Sequence, residues 1–196
     1  MVCKQVFISN KNSMSLSAKT LRSGGVIAFP TDTVYGIGAI FYKSDSVAQL
    51  YKIKSRPHNK AIPILIGNKN QLDSIAKNIS LTSKQLMKLY WPGPLTIIMQ
   101  KQDTVDSIVS SSNTVAVRMP NFDWLRDLIS LVGPLAVTSA NKSSEPAAIT
   151  YNEVQRSIGD DVDLIVKNDV FSLSTNSFSQ ASTVVDCSIE PPITLR

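Results

Sequence analysis

Apolar positions along this chain fall into short runs whose spacing switches between every second residue and helical spacing, so strands and helices are expected in alternation. KQVFIS (4–9) alternates polar and apolar residues and predicts a strand. A helical pattern over 15–23 ends at Gly24-Gly25, and VIAFP (26–30) predicts a short buried strand closed by Pro30. Ser44 or Asp45 is expected to cap a helix through Ile53, with Val47, Leu50, Tyr51 and Lys54 marking its faces. Pro57 disfavours helix at Arg56, so the chain turns there.

AIPILIG (61–67) predicts the next strand, NQLDSIAK (70–77) a helix, and a further helix runs from about Ser83 to the breaker WPGP (91–94). LTIIMQ (95–100) and TVAVRMP (114–120) read as strands, FDWLRDLISLVG (122–133) as a helix, and PLAVTSAN (134–141) as a strand entering a polar turn. Thr150 and Glu153 form a capping box for a helix in TYNEVQRSIG (150–159). The Ser-rich stretch SLSTNSFSQAS (172–182) is expected to be a mobile loop, and DLIVK, STVVD and ITLR are closing strands. The alternation predicts an α/β fold with strands from separated regions in one mixed sheet. Spacing leaves the strand order open.

Composition narrows this picture. With 196 residues, 43% apolar and 18% charged, the chain can bury a core and reads as one domain, 1–196, not as a disordered segment. A net charge of +5 points to an anionic partner. Cys3 and Cys187 lie far apart with no CxxC pair, which argues against a zinc ribbon, a redox dithiol or a disulfide framework. No stretch approaches the ~18 apolar residues of a membrane span, and the N-terminus lacks a signal-like apolar run. The expected setting is therefore the cytoplasm, with no membrane partner.

Several chemistries drop out. The sequence has no GxxxxGK[ST], no GxGxxG and no GxSxG. Its single histidine, His58, cannot anchor a metal site alone, and neighbouring cations would depress its basicity as a triad base. It reads as a solvated loop residue.

Four polar stretches remain beside strand ends, where α/β proteins place ligands. They contain Thr31 and Thr33; Lys54, Arg56 and Lys60; Arg118; and Ser139 with Asn141. Each has a structural alternative: a turn, a solvated loop, an internal ion pair or a helix cap. Arg118 ends an otherwise buried strand and requires an anion, either from the protein or from a ligand.

The order and spelling of these stretches carry more than any of them alone. PTDTVYGIG, KSRPHNKAI, WPGPLT, VAVRMP, TSAN and STVVD, spread from Phe29 to Arg196, resemble the TsaC/YrdC family of threonylcarbamoyl-adenylate synthases. The family's lysine-x-arginine and later serine-x-asparagine fall on Lys54, Arg56, Ser139 and Asn141. The resemblance implies a twisted mixed β-sheet flanked by helices around a large basic concave cleft, in the short, single-domain form. It also implies synthesis of threonylcarbamoyl-AMP and pyrophosphate from L-threonine, bicarbonate or CO2, and ATP with Mg2+. The product would pass to the transfer machinery that modifies the tRNA adenosine beside the anticodon.

By the same resemblance, Lys54 and Arg56 would be catalytic and hold the triphosphate, the arginine as a fork and the lysine as a compact charge. Lys60, Thr114, Ser139, Asn141 and Arg196 would contact ATP; Thr31, Thr33, Arg118 and Ser182 would contact threonine. The chain departs from the family across Ser143–Ala148, where a serine expected on ATP is replaced by Ala147, and at Ala61, where proline is usual. Two rivals stand beside this reading. One is a basic RNA- or tRNA-binding module, which lacks support from any aromatic stacking array. The other is a carbamoyl-adenylating domain of larger maturation proteins, which predicts cysteine pairs and fused domains.

Overall fold

Strand pairing joins widely separated regions into one mixed sheet. In the computed structural model, which describes residues 4–169 and 181–196, the strands are β1 (Lys4–Phe7), β2 (Ile27–Phe29), β3 (Gly36–Ile40), β4 (Ile64–Leu65), β5 (Ala76–Lys77) and β6 (Leu95–Lys101). They continue as β7 (Thr114–Arg118), β8 (Leu135–Ser139), β9 (Leu164–Lys167), β10 (Thr183–Asp186) and β11 (Ile193–Thr194). Their spatial order is β1-β9-β2-β3-β8-β4-β7-β6-β10-β11, with β5 paired to β6 off this path. The pairs β1 with β9, β2 with β9, β4 with β7 and β6 with β10 are parallel, and the others are antiparallel. The mixed α/β expectation holds.

Period-two alternation sends side chains of each strand to opposite faces. Ile27, Phe29, Leu135 and Val137 pack on one face beneath α1 (Ser13–Arg22) and α4 (Asp123–Val132), which contribute Leu21, Leu125 and Ile129. Ala28, Ala136, Val115 and Val117 pack on the other, beneath α2 (Ser44–Lys54), α3 (Leu81–Tyr90) and α5 (Tyr151–Ile158). Among the described residues no helix is long and apolar enough to cross a membrane.

The central strand β3 is the element the apolar pattern does not mark. Every residue of GIGAI is buried, but its alternate positions are glycines. A Cβ on Gly36 or Gly38 would come within 3.0 Å of Val137, with the Phe29 ring close behind. The missing side chains make room for neighbours from β2 and β8, so the periodic signal vanishes where the packing is tightest.

Other boundaries shift for local reasons. AIPILIG contributes only Ile64–Leu65 to the ladder, because Pro63 carries no N–H. NQLDSIAK is not an α-helix: a 3-10 turn over Lys69–Ser74, capped by the Asn68 side chain, gives way to β5. Ile75 and Ala76 are pulled into the core there, which overrides helical preference. Helix α2 begins at Ser44 but has no side-chain cap, since the Ser44 hydroxyl donates to Asp106 at 2.6 Å and Lys43 occupies the cap position. The Thr150–Glu153 capping box forms as expected. Most of the expected mobile loop in 172–182 lies outside the described residues.

Candidate active site

One wall of the cleft starts where α2 stops. Ser55 adopts a left-handed conformation (φ 50°), and the Arg56 amide closes the helix by donating to Tyr51 O at 2.9 Å. The chain then loops back, strung on the carbonyl of Lys60. That oxygen accepts from the Tyr51 hydroxyl at 3.0 Å and from Arg56 Nε at 3.1 Å, while Arg56 Nη2 donates to Ala61 O at 2.8 Å. Arg56 thus shapes the loop it belongs to. His58 is exposed, stacked on Tyr51 at 4.7 Å between ring centroids, and faces away from the cleft into a separate groove.

Lys54 is the least expected residue of the group, being only 2% exposed. Its ammonium donates to Ser139 O at 2.6 Å and Asn141 O at 2.5 Å, with Ser139 Oγ and Asn141 Oδ1 at 3.4 and 3.5 Å. Burial first, then the charge of Arg56, brings its pKa down from 10.5 to about 8; Glu145 opposes the shift and Lys142 adds to it. The Ser139–Asn141 turn is closed in turn by Asn141 N donating to Ser139 O at 3.0 Å. Asn141 Nδ2 donates to Lys142 O and Glu145 O at 2.8 and 2.7 Å.

The second wall is built on a buried ion pair. Arg118, 6% exposed at the end of β7, meets Asp32 Oδ1 at 2.6 Å, Thr33 Oγ1 at 3.0 Å and Gly93 O at 3.1 Å. This leaves one N–H on each terminal nitrogen. Gly93 explains the chemistry of WPGPLT, since a Cβ there would collide with Tyr90 O. Thr31 Oγ1 donates to Val34 O at 2.7 Å, so its 3.0 Å contact with Thr33 is filled by the Thr33 hydroxyl proton. Asp32 Oδ2 is buried without a hydrogen-bond partner. Asp32 was absent from the expected site; its signal was the need of a buried arginine for an acid, met by the one acid in PTDT.

A third wall comes from the chain's last strands. Ser182 and Thr96, both buried, share a 2.8 Å hydroxyl contact. Arg196 is tied down by Val184 N donating to its carbonyl at 3.0 Å and by its own Nε donating to Ser182 O at 3.1 Å.

Together these walls enclose about 380 Å³. Thr31, Thr33, Lys54, Arg56, Lys60 and Arg118 line it, as do Ser139, Asn141, Ser182 and Arg196. Five of the lining side chains are cationic, and Glu145 is the acidic one. Thr114 is not brought in. It stands at the opposite end of β7 from Arg118, paired with Gln100, and its hydroxyl lies 2.9 Å from Ser112 Oγ. Thr96, Tyr35, Ser143 and Ala147 also line the cleft; the departure from the family pattern thus presents a methyl group where a hydroxyl was expected.

A mixed sheet whose strand ends and adjoining turns gather cations around an open cleft defines an α/β protein with a cleft suited to anions. Residues 19–196 match the family model Sua5_yciO_yrdC, described as "Telomere recombination", and the chain belongs to this Sua5/YciO/YrdC family. It is 33% identical over 183 residues to the threonylcarbamoyl-AMP synthase of Pyrococcus abyssi (strain GE5 / Orsay), covering 92% of this chain and 52% of that one. It is 34% identical over 151 residues to the threonylcarbamoyl-AMP synthase of Pseudomonas putida (strain GB-1), covering 76% and 82% respectively. The crystal structure of P. abyssi Sua5 complexed with L-threonine superposes with a TM-score of 0.91 at 31% identity, over 100% of this chain and 57% of that one. The chain therefore spans about half the length of its archaeal relative.

The Arg118–Asp32 pair is buried on both sides, with side chains 7% and 11% exposed. Asp32→Asn leaves a buried guanidinium without its counter-charge and should cost about 3 kcal/mol in urea unfolding; a loss below about 0.5 kcal/mol would count against a buried pair. For Lys54, the folded chain holds the proton less tightly than the unfolded one between about 8 and 10.5. The stability this group contributes is therefore full above 10.5 and is lost as pH falls through about 8. Unfolding free energies of wild type and Lys54→Met, compared from neutral to alkaline pH, should shift in favour of wild type as pH rises.

Proposed function

We propose that this chain carries the threonylcarbamoyl-AMP synthase activity named in its relatives: L-threonine, bicarbonate or CO2, and ATP are converted to threonylcarbamoyl-AMP and pyrophosphate. The observation that carries this reading is the convergence of the lysine-x-arginine and serine-x-asparagine segments with Arg118, Thr31 and Thr33 on one cationic cleft. The relatives' names and the L-threonine complex of P. abyssi Sua5 support the substrate assignment.

In this reading the amine of threonine adds to CO2, and an oxygen of the resulting carbamate attacks the α-phosphorus of ATP. A carbamate O–P bond forms as the P–O bond to pyrophosphate breaks. Nucleophile and electrophile are both anions, so the task of the site is to neutralise and align them. Arg56, Lys60 and Arg196 supply charge at the nucleotide end. Lys54 contributes its charge from behind the Ser139–Asn141 turn, with its ammonium already bonded to two carbonyls. At the threonine end, Asp32 balances Arg118, so directed N–H bonds rather than net charge would receive the carboxylate.

Among the described residues no cluster of three His, Cys, Asp or Glu side chains could hold a metal. That donor set suits Mg2+ carried on the triphosphate, which keeps phosphate oxygens and waters as ligands and needs little from the protein. Glu145 is the carboxylate on the cleft wall that could assist it. The cation would offset phosphate charge. Delivery of the product to a tRNA-modifying transfer machinery in the cytoplasm completes the proposal.

Pyrophosphate release should require ATP, L-threonine and bicarbonate together, measured with each omitted in turn. Release that continues without threonine sinks this reading, and salt-sensitive RNA binding without any release favours the binding-module rival. Arg56→Ala should weaken ATP by about tenfold or more, whereas Arg118→Ala should chiefly raise the KM for threonine by a similar factor. Equal effects of both variants on both substrates would refute the division of the cleft.

A further inference from the structure

Two lysines cross between the same two chain segments in opposite directions. Lys54, at the end of α2, donates across to Ser139 O and Asn141 O. Lys142, in the turn after β8, donates back to Ile53 O at 2.6 Å. Between them the Ser143 amide donates to Lys54 O at 2.9 Å. The last carbonyls of a helix have no partner within it, so Ile53 O and Lys54 O are open points of attachment. The turn uses both.

The charge of Lys142 is answered outside the cleft, by Asp161 Oδ2 at 2.7 Å, and its backbone amide donates to Ser157 Oγ in α5 at 3.0 Å. Its side chain lines the groove on the far side of α2, with His58, Lys52 and Asp161, and is not part of the cleft wall. Lys142 is therefore outside the lining of the cleft. What it touches is the backbone that carries Lys54, one residue before the loop of Arg56.

We propose that Lys142 is a positioning residue for the nucleotide end of the cleft. By tying the Ser139–Ser143 turn to the end of α2, it sets the separation between Asn141 on one side and Lys54 and Arg56 on the other. Lys54 holds the turn from a buried position, where desolvation and the charge of Arg56 work against its ammonium. The reciprocal bond from Lys142 holds the same two segments through a charge that remains partly solvated and paired. The threonine end is independent of this clasp: Arg118, Asp32 and Thr33 are bonded to one another and to Gly93, not to Lys142.

The proposal rests on the cleft being a nucleotide site, and the test separates the two. Dissociation constants for ATP and for L-threonine are measured by calorimetry on wild type, Lys142→Met, Lys142→Arg and Asp161→Asn, each checked by thermal unfolding. Lys142→Met should weaken ATP about tenfold and leave threonine within about twofold. Lys142→Arg keeps the charge and the reach, and should restore ATP to within about threefold. Unchanged ATP affinity in a folded Lys142→Met protein overturns the proposal, as does equal weakening of both substrates, which marks general loosening. If Lys142→Met does not fold, Asp161→Asn carries the comparison, with a smaller loss confined to ATP in support and no such loss against. A wild type that binds no ATP overturns the nucleotide reading itself.

Discussion

A lysine ammonium held between two backbone carbonyls at the edge of the core constrains everything around it. Lys54 reaches this position because α2 packs Leu50, Tyr51 and Ile53 against the sheet, which carries the next turn of the helix inward. An ammonium taken out of water must find acceptors, and it finds the carbonyls of Ser139 and Asn141 where β8 ends. The end of a helix and the end of a strand are thereby fixed against each other, and the cleft is the space their joint leaves open. Lys142 returns the contact from the opposite side.

The other pole of the cleft solves the same electrostatic problem by different means. Arg118 is also buried, but a carboxylate from the β2–β3 connection balances it, and hydroxyl and carbonyl oxygens take two more of its donors. One end of the site therefore presents excess positive charge and the other a neutral, directional set of donors. Such a difference suits a polyanion at one end and a small zwitterion at the other.

Much of this was legible in the chain. The strands around VAVR and PLAV, the capping box at Thr150 and the placement of ten site residues in one cleft followed from pattern, spelling and family resemblance. Thr114 stands at the other end of β7 from Arg118 and is not among the residues lining the cleft, because a motif does not reveal which end of a strand a residue occupies. β3 was missed because its glycines erase the periodicity on which recognition of strands depends. NQLDSIAK was read as a helix because its apolar spacing fits one over a short window, while the edge of β6 recruits its last residues as a strand.

The sequence by itself determined the alternation of elements, the cationic stretches beside strand ends and the family, because these depend on local periodicity and on residues that are near one another in the chain. The strand order, the pairing of Arg118 with Asp32 and the two-way lysine tie were decided only by tertiary structure. Each of these joins residues more than eighty positions apart, and the identity of such a partner depends on which strands become neighbours. That choice is made by burial over the whole sheet, and no single window of sequence contains it.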